Sequence, residues 1–470
     1  MTSEAGAEDP RRRISPNHAA VALFLVCIVL SILDSSSINV ALAAIGHEFE
    51  VPVAQTSVIN IGFLVTVAAV IPMSGWLGER FGLVRLIVAS LVVFSAGAIV
   101  SATAADLGVL TVGRVIQGLG GGGIGTLAMS HLYRAYPPEK RLALGPIMSL
   151  PLLISPTVGP LLGGALVQYA SWRWIFLLNL PLAVFAIVIA LRYAVEKGER
   201  SRRPLDVLGA VLTVLGFGGF ALALNSLSRN GIDLTGELVL GGAFVLLIAL
   251  WGWELRLGER AFLDLALFRI RPYSRTVLIT AIHSVAFFGG TFLMPVALQS
   301  VLGLSPLLSG AVTACGAIGT ALIGRPATRL ILRIGARAAI VASQTSMLLL
   351  AGVMMLGFWL DLVPLIAVAI VGYSASSYLT VTTAQNVGFG AVPHRNIGDA
   401  SSLLGASRQM ASAAGVALVA GVLAFAGTGM APGHHAIAPV IAYAILGVFH
   451  LAAALLALFS RDLPLPGRDK

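Results

Sequence analysis

Apolar residues in this chain come in runs of about 20, separated by short segments that gather the Gly, Pro and charged positions. A run of that length matches the hydrocarbon core of a bilayer, about 30 Å thick and crossed by roughly 20 helical residues. The runs lack the alternating polar positions of a barrel strand, so helices are the elements they predict. Spans are expected near 18–44, 52–77, 86–104, 107–132, 142–168, 173–192, 205–227, 236–256, 276–300, 305–328, 338–358, 362–388, 397–425 and 437–460. The pair at 205–256 stands between two basic connectors. The expected order is therefore a tail over 1–17, a six-helix bundle over 18–192, a linker over 193–204, the extra pair, a linker over 257–275, a second six-helix bundle over 276–460 and a tail over 461–470.

Composition supports lipid as the solvent. Hydrophobic residues make up 57% of the 470 positions and charged residues 11%, against about 25% charge in soluble domains. The net charge of +9 could suggest nucleic acid, but the basic residues cluster in short loops between spans, a distribution that fits membrane topology. Retained positive charge places both termini in the cytoplasm: only Arg173 and Arg229 fall outside, while Arg114, Arg325 and Arg408 lie within spans. Arg11, Arg12 and Arg13 precede the first run as they would in a signal peptide, yet the run is too long and lacks a convincing cleavage site, so it reads as a retained helix. Cys27 and Cys315 fall in separate spans and are expected to be free, buried thiols.

The candidate chemistry lies where charge interrupts the apolar runs. Asp34 sits within the first span, and an intramembrane carboxylate costs roughly 2.5 to 3.5 kcal/mol, which marks it as a functional candidate. Low dielectric disfavours its charged form and a neighbouring cation favours it, the balance proton coupling uses. Arg114 in the fourth span is the natural partner, with helical rise placing the two at depths of roughly 10 and 15 Å. Gln117 lies one turn from Arg114, where helix packing and substrate contact are both open readings, and Gly113 and Gly118 allow close helix approach. A permanently paired carboxylate that only fixes packing is the alternative for Asp34.

Further along, Pro156, Gly159, Pro160, Gly163 and Gly164 crowd the fifth span and predict a bending or rocking helix. Residues 75–85 read as a tight turn, carrying Gly75, Glu79, Arg80, Gly82 and Arg85, whose charges can pair with helix ends or with the other half. Arg333, Gly335 and Arg337 stand at the equivalent place in the second half, without the acid, which implies duplicated bundles.

These motifs resemble the major facilitator superfamily, specifically its fourteen-span drug:proton antiporters and their MdtD- and HsrA-like bacterial exporters. Residues 75–85 resemble the superfamily's signature loop with Glu79 in place of the usual Asp. Residues 33–42, including Asn39, resemble the first-helix motif with Ala43 where Pro is usual. Residues 110–118 and 159–164 are similar to the fourth-helix and antiporter motifs, and Trp172, Arg173, Trp174, Asn179 and Pro181 to the entry of the sixth helix. The resemblance implies an all-α major facilitator fold of two six-helix bundles plus two central helices. It also implies proton coupling at Asp34 and Arg114, a cytoplasmic latch at Glu79 and Arg80, and a hinge at Gly159 and Pro160.

In the second half Arg408 lies deeper than Arg325, which snorkels. Asn39, Gln117, Phe287, Gln299, Tyr373, Tyr378, Gln385, Asn386 and Arg408 are the candidate substrate pathway. His283 and His450 are isolated and suggest no metal site. No phosphate loop, paired Cys cluster or nucleophile elbow is present, which excludes an ATP-driven pump or a membrane enzyme and leaves the proton gradient as energy source, with no cofactor. The expectation is a monomeric exporter of drugs or other small amphipathic molecules in the bacterial inner membrane. Export of an endogenous metabolite is the alternative, and a non-transporting sensor or scaffold a third.

Overall fold

A computed structural model describes residues 16–51, 56, 58–136, 144, 162–163, 165–194, 206–230, 234–257, 264–304, 306–393, 396–429 and 437–460. Among these there is no strand. The first half consists of α1 (Pro16–Glu48), α2 (Val58–Val70), α3 (Ser74–Phe81), α4 (Leu83–Ala102), α5 (Leu107–Ala135), α6 (Arg173–Leu177) and α7 (Asn179–Tyr193). Next come α8 (Val207–Asn230) and α9 (Leu234–Leu257). The second half consists of α10 (Arg271–Ser300), α11 (Pro306–Ile334), α12 (Ala336–Trp359), α13 (Val363–Ala391), α14 (Ile397–Gly429) and α15 (Ile437–Phe459).

Ten helices among the described residues are long and apolar enough to cross a membrane, and α11, bent by 60° between Gly324 and Pro326, makes an eleventh if counted as one span. The bend follows from Pro326, which cannot donate to the helical ladder. The glycines and charged groups of α5 lower its hydropathy, and most of the expected fifth span lies outside the described residues. Side chains such as Val92, Val184, Leu191, Ile248 and Val368 point outward, as lipid-facing helices require.

Each half has its own apolar interior. Leu23, Cys27, Phe94 and Ile124 belong to one cluster of the first half, and Leu293, Met347, Phe358 and Tyr443 to one of the second. A third cluster joins Trp76 and Tyr133 of the first half to Tyr273, Phe389 and Ile397 of the second. Helix α8 packs against both α2 and α14.

Two local expectations are corrected. The segment expected as a tight turn over 75–85 is helical through Phe81; the chain turns only at Gly82, whose φ of +97° is open to glycine, because in lipid the small residues at 75 and 78 serve packing. Gly335 likewise precedes α12 with φ +85°. Cys315 is partly exposed rather than buried, its thiol donating to the Ala311 carbonyl one turn back, while Cys27 is fully buried.

Candidate functional site

Close contact of α4 and α5 sets the geometry around Asp34. A Cβ on Gly113 would stand 2.4 Å from the Ser101 hydroxyl, so the two backbones touch there, and the next residues of α5 project Arg114 and Gln117 toward α1. Asp106 caps the start of α5 by accepting from the Val109 amide, which fixes its register.

Arg114 Nη1 donates to Asp34 Oδ2 at 2.7 Å, and both side chains are fully buried. The other carboxylate oxygen accepts from Gln117 Nε2 at 3.1 Å and Asn179 Nδ2 at 2.8 Å. Gln117 Oε1 in turn accepts from Arg114 Nη1 and from Ser101 Oγ. The guanidinium lies 4.1 Å above the Phe63 ring and 5.9 Å from that of Phe176. Its Nε and Nη2 have no hydrogen-bond partner, so the aromatic faces take the place of acceptors. The expected Asp34–Arg114 pairing and the nearness of Gln117 are thus present. Asn179, Phe63 and Phe176 were not assigned to the site from sequence; a lone amide beginning an apolar helix was the available signal for Asn179.

At one end of the molecule the halves meet. Glu79 pairs with Arg134 at 3.2 Å, and both flank Gly398 in the first turn of α14, where the helix N-terminus favours a carboxylate. Ser74 Oγ lies 3.0 Å from Ser402 Oγ, and the rings of Tyr133 and Phe389 stand 4.7 Å apart. Arg80 lies over the Trp76 ring of its own helix, and Arg85 is exposed.

Of the residues expected to form a hinge, Pro156, Gly159, Pro160 and Gly164 lie outside the described residues; Gly163 is described and abuts Ser37 of α1. The side chains of Asn39, Gln299 and Arg325 also lie outside them. Tyr378 and Gln385 are buried, and Asn386 donates to the Thr382 carbonyl of its own helix. Phe287 and Arg408 are half-buried, and Phe287 stacks on Tyr373 at 6.0 Å.

The isolation expected of His283 and His450 is corrected. Their rings lie 6.2 Å apart and are bridged by Gln344 of α12, which no spacing in the chain connects to either. Among the described residues no group of three His, Cys, Asp or Glu side chains is placed to hold a metal ion.

Packed apolar helices with a buried ion pair among them and close contacts at one end form a multi-span membrane protein. The chain belongs to the Major Facilitator Superfamily, whose family model matches residues 24–416. It is 31% identical over 401 residues to MdtD of Serratia proteamaculans, a protein provisionally named for multidrug resistance, covering 83% of this chain and 82% of the relative. It is 29% identical over 405 residues to HsrA of Haemophilus influenzae, provisionally named a transport protein, covering 85% of each. Among solved structures its fold is similar to the human organic anion transporter MFSD10, with TM-score 0.68, 15% identity and coverage of 94% and 100%. It is also similar to the proton:xylose symporter XylE, with TM-score 0.61, 14% identity and coverage of 94% and 95%.

Proposed function

We propose that this transporter is a proton-coupled antiporter that exports small amphipathic molecules across a bacterial inner membrane, with both termini in the cytoplasm. The carrying observation is the Asp34 cluster: one carboxylate, fully buried, meets one guanidinium and two neutral amides. A proton on Asp34 cancels the charge that holds Arg114, leaving a buried cation with two unpartnered nitrogens. Rearrangement of α1 against α5 relieves that cost, and substrate binding favours the opposite arrangement. The contacts among Gly75, Glu79, Arg134 and Gly398 act as the latch that must part when the other side closes. The names of the MdtD relatives support a drug-like cargo, and the half-buried Phe287 and Arg408 supply aromatic and cationic surface for it.

Everted vesicles carrying the full chain test this reading. Substrate accumulation should collapse with the pH gradient, and Asp34→Asn should abolish gradient-driven uptake. An active Asp34→Asn protein with undiminished proton coupling would refute the assignment.

A further inference from the structure

The bridge between His283 and His450 has a direction fixed by its hydrogen bonds. Ser343 Oγ lies 3.0 Å from the Ile340 carbonyl, which can only accept, so the Ser343 hydroxyl donates there. Thr380 Oγ1, 2.6 Å from Ser343 Oγ, therefore donates to Ser343. Its free acceptor position then needs a donor, which is Gln344 Nε2 at 3.0 Å. That orients the amide: Nε2 faces His283 Nδ1 at 3.1 Å, and Oε1 faces His450 Nδ1 at 2.8 Å.

Both tautomers follow. His283 Nδ1 accepts, so its hydrogen is on Nε2, directed at Ser377 Oγ at 3.0 Å. His450 donates from Nδ1, so Nε2 accepts the Tyr373 hydroxyl at 2.8 Å. Donation runs one way, from Tyr373 through His450, Gln344 and His283 to Ser377, across α13, α15, α12 and α10 and back to α13.

We propose that His450 is a proton-binding site of the second half, while His283 is held neutral by the same network. A proton arriving at His450 Nε2 leaves Nδ1–H donating to Gln344 unchanged and requires only that the Tyr373 hydroxyl rotate away, its oxygen then accepting Nε2–H. An N–H bond forms at Nε2 as an O–H bond of a hydronium ion breaks, and a water molecule is released. A proton on His283 Nδ1 would instead oppose the Gln344 amide hydrogens. Flipping that amide would strand Thr380 without a donor and His450 Nδ1–H without an acceptor. The charged and titratable groups around the pair favour the same choice. Arg408 of α14 is close enough for its charge to bear on His283. Tyr373 of α13 faces His450 directly, and Tyr443 lies two turns back on α15, donating to the Gly290 carbonyl. Among the described residues neither histidine has a carboxylate partner. Tyr373 also stacks on the half-buried Phe287, so its hydroxyl links proton occupancy to a ring of the candidate pathway.

This site does not depend on the role proposed for Asp34. The full chain, with 15N-labelled imidazoles and in lipid nanodiscs, is titrated by NMR from pH 8 to pH 4, with His283→Gln and His450→Gln assigning the signals. At high pH His450 is expected as the Nδ1–H tautomer and His283 as Nε2–H; on acidification His450 becomes imidazolium and His283 does not. Tyr373→Phe, which removes the oxygen that accepts Nε2–H from the imidazolium as well as the hydrogen donated to the neutral ring, should lower the His450 proton affinity by about two- to tenfold. The wild-type spectra decide the matter if that variant fails to fold. Reversed tautomers, protonation of His283 first, or a His450 that stays neutral at pH 4 overturns the proposal. In Asp34→Asn the His450 titration should persist whether or not antiport is lost; its disappearance there would also overturn it.

Discussion

Gly75 and Gly398 meet across the two halves so closely that a Cβ on Gly75 would stand 2.6 Å from the Gly398 carbonyl oxygen and equally near Ser402 Oγ. Even one methyl group must therefore push α3 and α14 apart. Overpacking of this kind costs about 1–3 kcal/mol, enough to move a conformational equilibrium by roughly tenfold. Gly75→Ala should disfavour the arrangement closed at this end. Cysteines replacing Ser74 and Ser402, in a chain lacking Cys27 and Cys315, report it as disulfide yield. An unchanged yield would show that the contact does not latch the halves.

Removing one member of the Asp34–Arg114 pair leaves the other charged, buried and short of partners. Arg114→Met is expected to cost about 3–5 kcal/mol, and Asp34→Asn combined with Arg114→Met less than the two single changes together. Denaturant-induced unfolding of the four proteins in one detergent measures the coupling. Additive losses would mean that the 2.7 Å contact contributes nothing specific.

Glu48 accepts from Arg173 Nη1 and from Trp172 Nε1, each at 2.6 Å, at the far end of α1. Burial alone would raise its proton affinity, but the Arg173 and Trp172 hydrogen bonds and the Arg173 charge outweigh it and hold the carboxyl below its usual 4.5. A lowered folded value means stability that is present above about pH 4.5 and lost as pH falls through that lower value. The side chains are 31% and 42% exposed, so solvent screens the pair. Arg173→Gln should therefore cost no more than about 1 kcal/mol at pH 7, and the difference should vanish on strong acidification. Thermal unfolding of both proteins across that range checks the sign.

Charge in an apolar run is conspicuous, which is why the sequence alone pairs Asp34 with Arg114: each stands alone in its span, and helical rise brings them to similar depth. Asn179 was less visible, since a neutral amide at a helix entry has several ordinary uses. The network around Gln344 was illegible. Its members are polar residues drawn from four helices, 61 and 106 positions apart for the two histidine contacts, and only tertiary packing brings them together. The glycines at 75 and 78 point to a turn where the chain stays helical, for a related physical reason. Glycine ends helices in water, but here Gly75 and Gly78 create close approaches while the helix continues.

The same distinction between glycines that pack and glycines that merely occur yields a paired test. At Gly113 an added methyl would lie 2.4 Å from Ser101 Oγ and 2.8 Å from the Ser101 amide nitrogen, so α4 and α5 must separate just where Arg114 and Gln117 leave the helix. At Gly352, inside α12, nothing lies within 4 Å of the same methyl. Gly113→Ala should destabilise by about 1–3 kcal/mol and reduce transport. Gly352→Ala should stabilise by roughly 0.5–1 kcal/mol through lost backbone freedom in the unfolded chain, with transport unchanged. Unfolding midpoints and uptake rates of the two variants, measured side by side, decide the point. Equal effects at both positions would show that the α4–α5 contact does not position the Asp34 cluster.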